Sequence, residues 1–165
     1  MRGTARAIAR IAENEPELTV VLPLHMNPVV REAIVPALRD RQNVILTEPL
    51  AYGEFARLLS LAAVVLTDSG GVQEEAPSLG KPVLVMRENT ERPEAVTAGT
   101  VALVGADEHA IVDSVTALLH DDEHYASMAT AVNPYGDGRA AERVVAAVEQ
   151  LLGVGTRLPD FTPLP

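Results

Sequence analysis

The 165-residue chain contains no cysteine and no tryptophan, and only three tyrosines and two phenylalanines. Without cysteine, disulfide scaffolds, Cys-ligated zinc sites and cysteine nucleophiles are excluded. The shortage of aromatics leaves no platform on which bases could stack. Positive charge is scarce as well: Lys plus Arg number 13 against 23 Asp plus Glu, a formal charge of −10. A reader of the phosphate backbone needs a basic face, so nucleic acid is excluded as a partner. No apolar run approaches the roughly 20 residues of a membrane helix; the longest, Leu61 to Leu66, is six. No membrane contact is therefore expected. The first residues, interrupted by Arg6 and Arg10, contain no signal-peptide apolar region, so a soluble cytoplasmic protein is expected.

What is present is a chain 47% hydrophobic, enough to bury a core. Apolar, mostly β-branched runs at 18–22, 44–46, 63–66, 83–85 and 101–104 do not alternate with polar residues, the pattern of strands covered on both faces. Between them lie helical patterns at 4–13, 27–39, 53–61, 71–79, 107–119, 122–131 and 139–152. Pro28 suits the first turn of its helix, Asp107 is an N-cap, and Gly80 with Pro82 closes the helix at 71–79. Strand and helix in that rhythm predict an α/β fold, a Rossmann-like parallel sheet flanked by helices. Residues 1–152 form the lobe; 153–165 form a proline-rich tail, loosely docked. The pattern opens on a helix where such a lobe usually opens on a central strand, so a first strand is expected to be missing.

The sharpest local feature is Leu66-Thr67-Asp68-Ser69-Gly70-Gly71-Val72-Gln73-Glu74-Glu75. A buried strand ends, two glycines allow close approach of backbone to a ligand, and a helix begins at the carboxyl edge of the sheet, where open parallel sheets hold ligands. Free N–H groups there form an anion site. The plainer alternative is an N-cap serine in a flexible turn. No lysine follows at the P-loop position; Lys81 comes after the helix. Glu75, as a ligand group, could accept the hydroxyls of a ribose; otherwise it and Glu74 are ordinary acids near a helix start. Arg92, in the loop after the next strand, reaches the same rim and could balance a diphosphate, although a lone loop arginine is more often solvated. His25 also holds a rim position, whereas His109, His120 and His124 read as solvated surface. Phe55 is either core or the wall of a base pocket. No nucleophile–base arrangement, carboxylate pair or metal-ligand set is evident, and no cofactor or metal is expected.

Taken in order, residues 66–105, LTDSGGVQEEAPSLGKPVLVMRENTERPEAVTAGTVALVG, resemble the signature stretch of the non-hydrolysing UDP-N-acetylglucosamine 2-epimerases. PLHMNPVVRE at 23–32 and NPYGDGRAAERV at 133–144 resemble the same family in the same order, so the resemblance runs over residues 1–152. It implies one lobe, the C-terminal one, of a two-lobed glycosyltransferase-B-type fold with the substrate in the cleft. The family interconverts UDP-N-acetylglucosamine and UDP-N-acetylmannosamine by eliminating UDP to a 2-acetamidoglucal and adding it back after proton return to the other face at C2. By resemblance, Ser69, Gly70 and Gly71 hold the diphosphate, Glu75 the ribose, Arg92 the phosphate side and Phe55 the uracil. His25 matches a histidine that contacts a second, regulatory UDP-sugar in some members.

The chain also departs from the family pattern. Leu50 stands where some members carry a glutamine near the uracil. The carboxylates that move the proton belong to the N-terminal lobe, which is absent, as is the His-Arg-Arg-Glu segment that precedes the first helix. The expectation is a UDP-binding half that is inactive alone and either self-associates or pairs with a complementing N-terminal lobe. A UDP-sugar-binding regulatory module and a lobe of a UDP-sugar glycosyltransferase are the alternatives.

Overall fold

A computed structural model describes residues 1–162. The last three residues of the expected tail lie outside them. The elements follow one another as α1 (Arg2–Asn14), β1 (Val20–Pro23), α2 (Pro28–Leu38), β2 (Val44–Thr47), α3 (Tyr52–Leu61), β3 (Val65–Thr67), α4 (Val72–Glu75), β4 (Val83–Val85), α5 (Pro93–Ala98), β5 (Val101–Leu103), α6 (Glu108–His120), α7 (Asp122–Ala129) and α8 (Ala140–Leu151). All strand pairing is parallel, as an alternating α/β chain with helical crossovers requires. The strands fall into two sheets, β1-β2 and β3-β4-β5. Val20 pairs with Val44 in the first, and Val83 pairs with both Val65 and Val101 in the second.

Strand β4 lies at the centre of the larger sheet and is buried along its whole length. Side chains alternate across a strand, so its three residues serve both faces. Leu84 joins Ala7 and Ile11 of α1 and Ile111, Val115 and Leu118 of α6. Val83 and Val85 join Leu59 of α3, Val72 of α4 and Ala95 of α5. A third cluster, Ile8, Ala9, Ala12, Leu38 and Val44, seats α1 on α2 and β2. Helix α1 thus spans both sheets, and its run of alanines lets it pack closely against α2 and α6.

Local signals set the helix ends. The Asn27 carboxamide oxygen accepts from the Val29 N–H at 3.0 Å, and the Asp107 carboxylate accepts from His109 and Ala110 at 3.0 Å each. Those bonds, the Ala110 one foremost, hold the Asp107 carboxyl below the usual carboxylate range. Gly80 takes the left-handed conformation, φ +66°, that ends the preceding turn.

Two expectations change. The helix anticipated at 71–79 is a single α turn, Val72–Glu75, followed by a 3-10 turn at Pro77–Leu79. Pro77 has no N–H to continue the α ladder, so the chain tightens. A helix forms at Pro93–Ala98, where no helical pattern was read; six residues starting at a proline give too short a window for periodicity. In the tail, residues 156–162 carry no helix or strand, and the Arg143 Nε–H donates to the Pro159 carbonyl at 3.0 Å.

Candidate functional site

The carboxyl ends of β3 and β4 present two loops side by side. The first, Asp68–Gly71, leads into α4; the second, Met86–Arg92, leads into α5, with Arg92 at its N-cap position. Ser69 is exposed, and its N–H donates to the Thr67 hydroxyl at 3.0 Å, which turns the chain sharply as it leaves the strand. The N–H groups of Gly70, Gly71 and Val72 donate to no acceptor among the described residues. With only one α turn behind them, the helix dipole adds less positive potential than the anticipated longer helix would.

Arg92 brings positive charge directly to the glycine turn. Its guanidinium lies against Gly70: a Cβ on that glycine would sit 2.9 Å from Nη1 and 3.2 Å from Cζ. The Nε–H donates to the Glu74 carboxylate, and Nη1 donates to Glu91 at 3.3 Å. The Glu74 bond, and then the nearby acids, raise the Arg92 pKa further, so the group is a permanent cation. With Nε on Glu74 and Nη1 on the exposed Glu91, Nη2 is the guanidinium nitrogen with no acceptor among the described residues, the donor available to an additional anion. Glu75 folds the other way, its carboxylate 3.7 Å from where a Gly71 Cβ would be.

Of the residues expected at the site, Ser69, Gly70, Gly71, Glu75 and Arg92 therefore share one rim. Phe55, near the start of α3, is half-buried against the cluster of Leu59, Val65, Val83 and their neighbours. His25 stands apart, exposed at the carboxyl end of β1 in the other sheet. Its Nδ1 accepts from the Asn27 N–H at 3.1 Å, and its carbonyl accepts from Arg31 Nε at 3.0 Å. Arg31 in turn binds Glu48 through two bonds, 2.8 and 2.5 Å, which hold the Glu48 carboxyl below its ordinary range. Among the described residues no hydrogen bond links His25 to the Ser69–Arg92 rim, and no group of three His, Asp or Glu could hold a metal ion.

Four residues of this neighbourhood were not singled out by sequence. Glu74 holds Arg92. Gln73, fully buried, donates from Nε2 to the Ser69 carbonyl at 3.2 Å and accepts the Thr90 hydroxyl at 2.6 Å. Thr90 Oγ1 also accepts the Arg92 N–H at 3.1 Å. Tyr135, in the loop before α8, has a buried hydroxyl with no partner among the described residues. Burial first, and then the charges of Glu94 and Glu74, push its pKa up. One signal was available: Gln73 lies between Val72 and the core residue Ala76, and a polar side chain in an apolar face asks for specific partners.

The family model for UDP-N-acetylglucosamine 2-epimerase matches residues 1–149. The UDP-N-acetylglucosamine 2-epimerase of Escherichia coli K12 is 54% identical over 143 residues, 87% of this chain and 38% of the relative. The S. aureus MnaA–UDP co-structure superposes with a TM-score of 0.93 at 40% identity, covering 98% of this chain and 45% of that one. The Neisseria meningitidis UDP-GlcNAc 2-epimerase bound to UDP-GlcNAc superposes at 0.86 with 48% identity, covering 92% of this chain and 40% of that one. The chain spans about two-fifths of the length of such relatives, the size of a single lobe. On the family match over residues 1–149, the chain belongs to the UDP-N-acetylglucosamine 2-epimerase family.

Proposed function

We propose that this lobe holds the UDP portion of a UDP-N-acetylhexosamine, and that it is the nucleotide-binding half of a 2-epimerase. The observation that carries the reading is the guanidinium of Arg92 lying over Gly70, beside the unpaired N–H groups of the glycine turn. A diphosphate needs donors and positive charge at close range, and a glycine turn lets it approach the backbone. Ser69, Gly70, Gly71 and Arg92 take the diphosphate, Glu75 accepts from the ribose hydroxyls, and the exposed part of the Phe55 ring faces the uracil. The binding of UDP or UDP-GlcNAc by the S. aureus and N. meningitidis relatives supports the ligand class. His25, whose hydrogen bonds go to Asn27 and Arg31 and not to the rim, belongs to a separate contact with a second, regulatory UDP-sugar.

In the epimerisation, the sugar C2–H is lost as a proton while the C1–O bond breaks, and the bonding pair leaves with UDP. Donors aimed at the leaving diphosphate lower the barrier by stabilising charge as it develops. That is the contribution of Arg92 and the glycine turn. The proton at C2 is handled by carboxylates of a complementing N-terminal lobe, so residues 1–152 bind and position while the rest of the enzyme does the proton chemistry. The apolar stripe of α8 supports a docked partner: Val144 is 63% exposed and Leu151 85%. Residues 153–165 form the tail that follows it.

Calorimetric titration of the chain with UDP tests the binding role; saturable binding with one site is expected, and no heat at millimolar UDP refutes it. A coupled assay of UDP-N-acetylglucosamine epimerisation tests the division of labour. The chain alone is expected to show no turnover, and robust turnover would refute the assignment of catalysis to another lobe.

A further inference from the structure

Two loops from different strands must keep a fixed separation for a diphosphate to touch both, and the structure contains a device for this. Gln73 is 0% exposed, an unusual environment for a carboxamide unless every polar atom is satisfied. Its Nε2 donates to the Ser69 carbonyl, 3.2 Å, within the glycine turn. Its Oε1 accepts from the Thr90 hydroxyl, 2.6 Å, in the neighbouring loop. Thr90 then accepts the backbone N–H of Arg92, 3.1 Å. The carboxamide can be oriented only one way, because the Ser69 carbonyl is solely an acceptor. The path from Ser69 through Gln73 and Thr90 to Arg92 closes on itself where the guanidinium meets Gly70.

From this ring of contacts we propose that Gln73 and Thr90 are positioning residues that hold the Ser69–Gly71 turn and Arg92 at the separation a nucleoside diphosphate requires. The inference rests on the proposed UDP site and adds to it the groups that set its width. Neither residue touches the ligand; both act through the groups that do. Two features favour this over simple core filling. A leucine at 73 would fill the same volume, whereas the carboxamide spends both of its polar ends on the two ligand-facing loops. The Thr90 hydroxyl is used twice, once as donor and once as acceptor, both times within the ring.

The test uses the 165-residue chain and compares UDP with uridine, which lacks the phosphates, by NMR titration at a temperature well below unfolding. Thr90→Val keeps the shape of the side chain and removes the hydroxyl, leaving a buried carboxamide oxygen unpaired. It is expected to weaken UDP by about tenfold and leave uridine unchanged, since one lost buried hydrogen bond is worth about that factor. Thr90→Ser keeps the hydroxyl and should remain within about twofold of the unmodified chain. Gln73→Glu keeps the acceptor for Thr90 but sets a carboxylate against the Ser69 carbonyl, so it should also weaken UDP selectively. A Thr90→Val chain that binds UDP normally, or that loses UDP and uridine equally, overturns the proposal, as does a Thr90→Ser chain as weak as the valine variant. If the unmodified chain does not bind UDP, the site reading itself falls and the proposal with it, a result distinct from the others.

Discussion

Gly70 and Arg92 meet so closely that a Cβ on the glycine would lie 2.9 Å from the guanidinium Nη1. The obstacle is the far end of a flexible side chain, and Gly70 is not among the glycines with positive φ. Gly70→Ala should therefore fold normally while pushing Arg92 off its position. Unfolding midpoints within a few degrees of the unmodified chain, together with about fivefold weaker UDP binding, are expected. Calorimetry and circular dichroism on the same sample check both parts. Unchanged affinity would mean that the guanidinium position does not matter to the ligand.

Arg92 itself admits a sharper test. Arg92→Ala removes the guanidinium that lies over Gly70 and should weaken UDP by about ten- to a hundredfold. Arg92→Lys restores charge but not the planar fork that serves Glu74 through Nε and an anion through Nη2, so it should recover only part of the loss. The loss should shrink for uridine, and titration of both ligands decides the matter.

Near α8, Asp137 binds Arg143 through two bonds of 2.7 and 2.8 Å and accepts the Arg139 N–H at 3.1 Å. The Arg143 side chain foremost, and then that N–H, hold the Asp137 carboxyl well below its ordinary range. A carboxyl depressed in the folded state contributes stability that is complete above its unfolded pKa, about 3.9, and is lost as pH falls through the folded value. The chain should thus lose stability steadily below about pH 4. Asp137→Asn should flatten that acid limb, which urea titrations between pH 2 and 7 will show.

The α8 stripe predicts association. Val144, Val148 and Leu151 are exposed on a helix whose buried side offers only Ala146. The unpartnered chain should self-associate, and Val148→Lys with Leu151→Glu should shift it toward monomer with little change in UDP affinity. Sedimentation velocity at several concentrations measures the shift; an unmodified chain that stays monomeric throughout would count against a docking role for this face.

Gly80 closes the α4 region at φ +66°. Alanine there has room, its Cβ 3.4 Å from the Ala129 carbonyl oxygen, but pays the left-handed backbone penalty of about 1–2 kcal/mol. A fall in unfolding midpoint of about 2–8 °C is expected for Gly80→Ala by scanning calorimetry.

Most of the fold was legible in the chain because strands such as Val83–Val85 are short apolar runs between strong breakers, and because Asn27, Asp107 and Gly80 mark helix ends by chemistry local to a few residues. The break at Pro77 and the helix at Pro93–Ala98 were missed for a related reason: each involves too few residues for a period to register. At the site, the rim position of Ser69, Gly70, Gly71 and Arg92 followed from strand order alone, since parallel strands bring the loops after their carboxyl ends together. Which acid pairs with that arginine did not follow. Glu74 and Glu75 are neighbours of identical chemistry, and only the direction in which α4 presents each side chain sends Glu74 to Arg92 and Glu75 toward Gly71.

The sequence by itself determined the class of fold and the family, because breaker residues, apolar runs and the 66–105 block are properties of residues near one another in the chain. Tertiary structure alone decided how the site is held. Gln73 and Thr90 are 17 positions apart, and so far along the chain no local pattern encodes the distance between a carboxamide and a hydroxyl. That distance exists only once β3 and β4 pair in register and carry their two loops to the same edge.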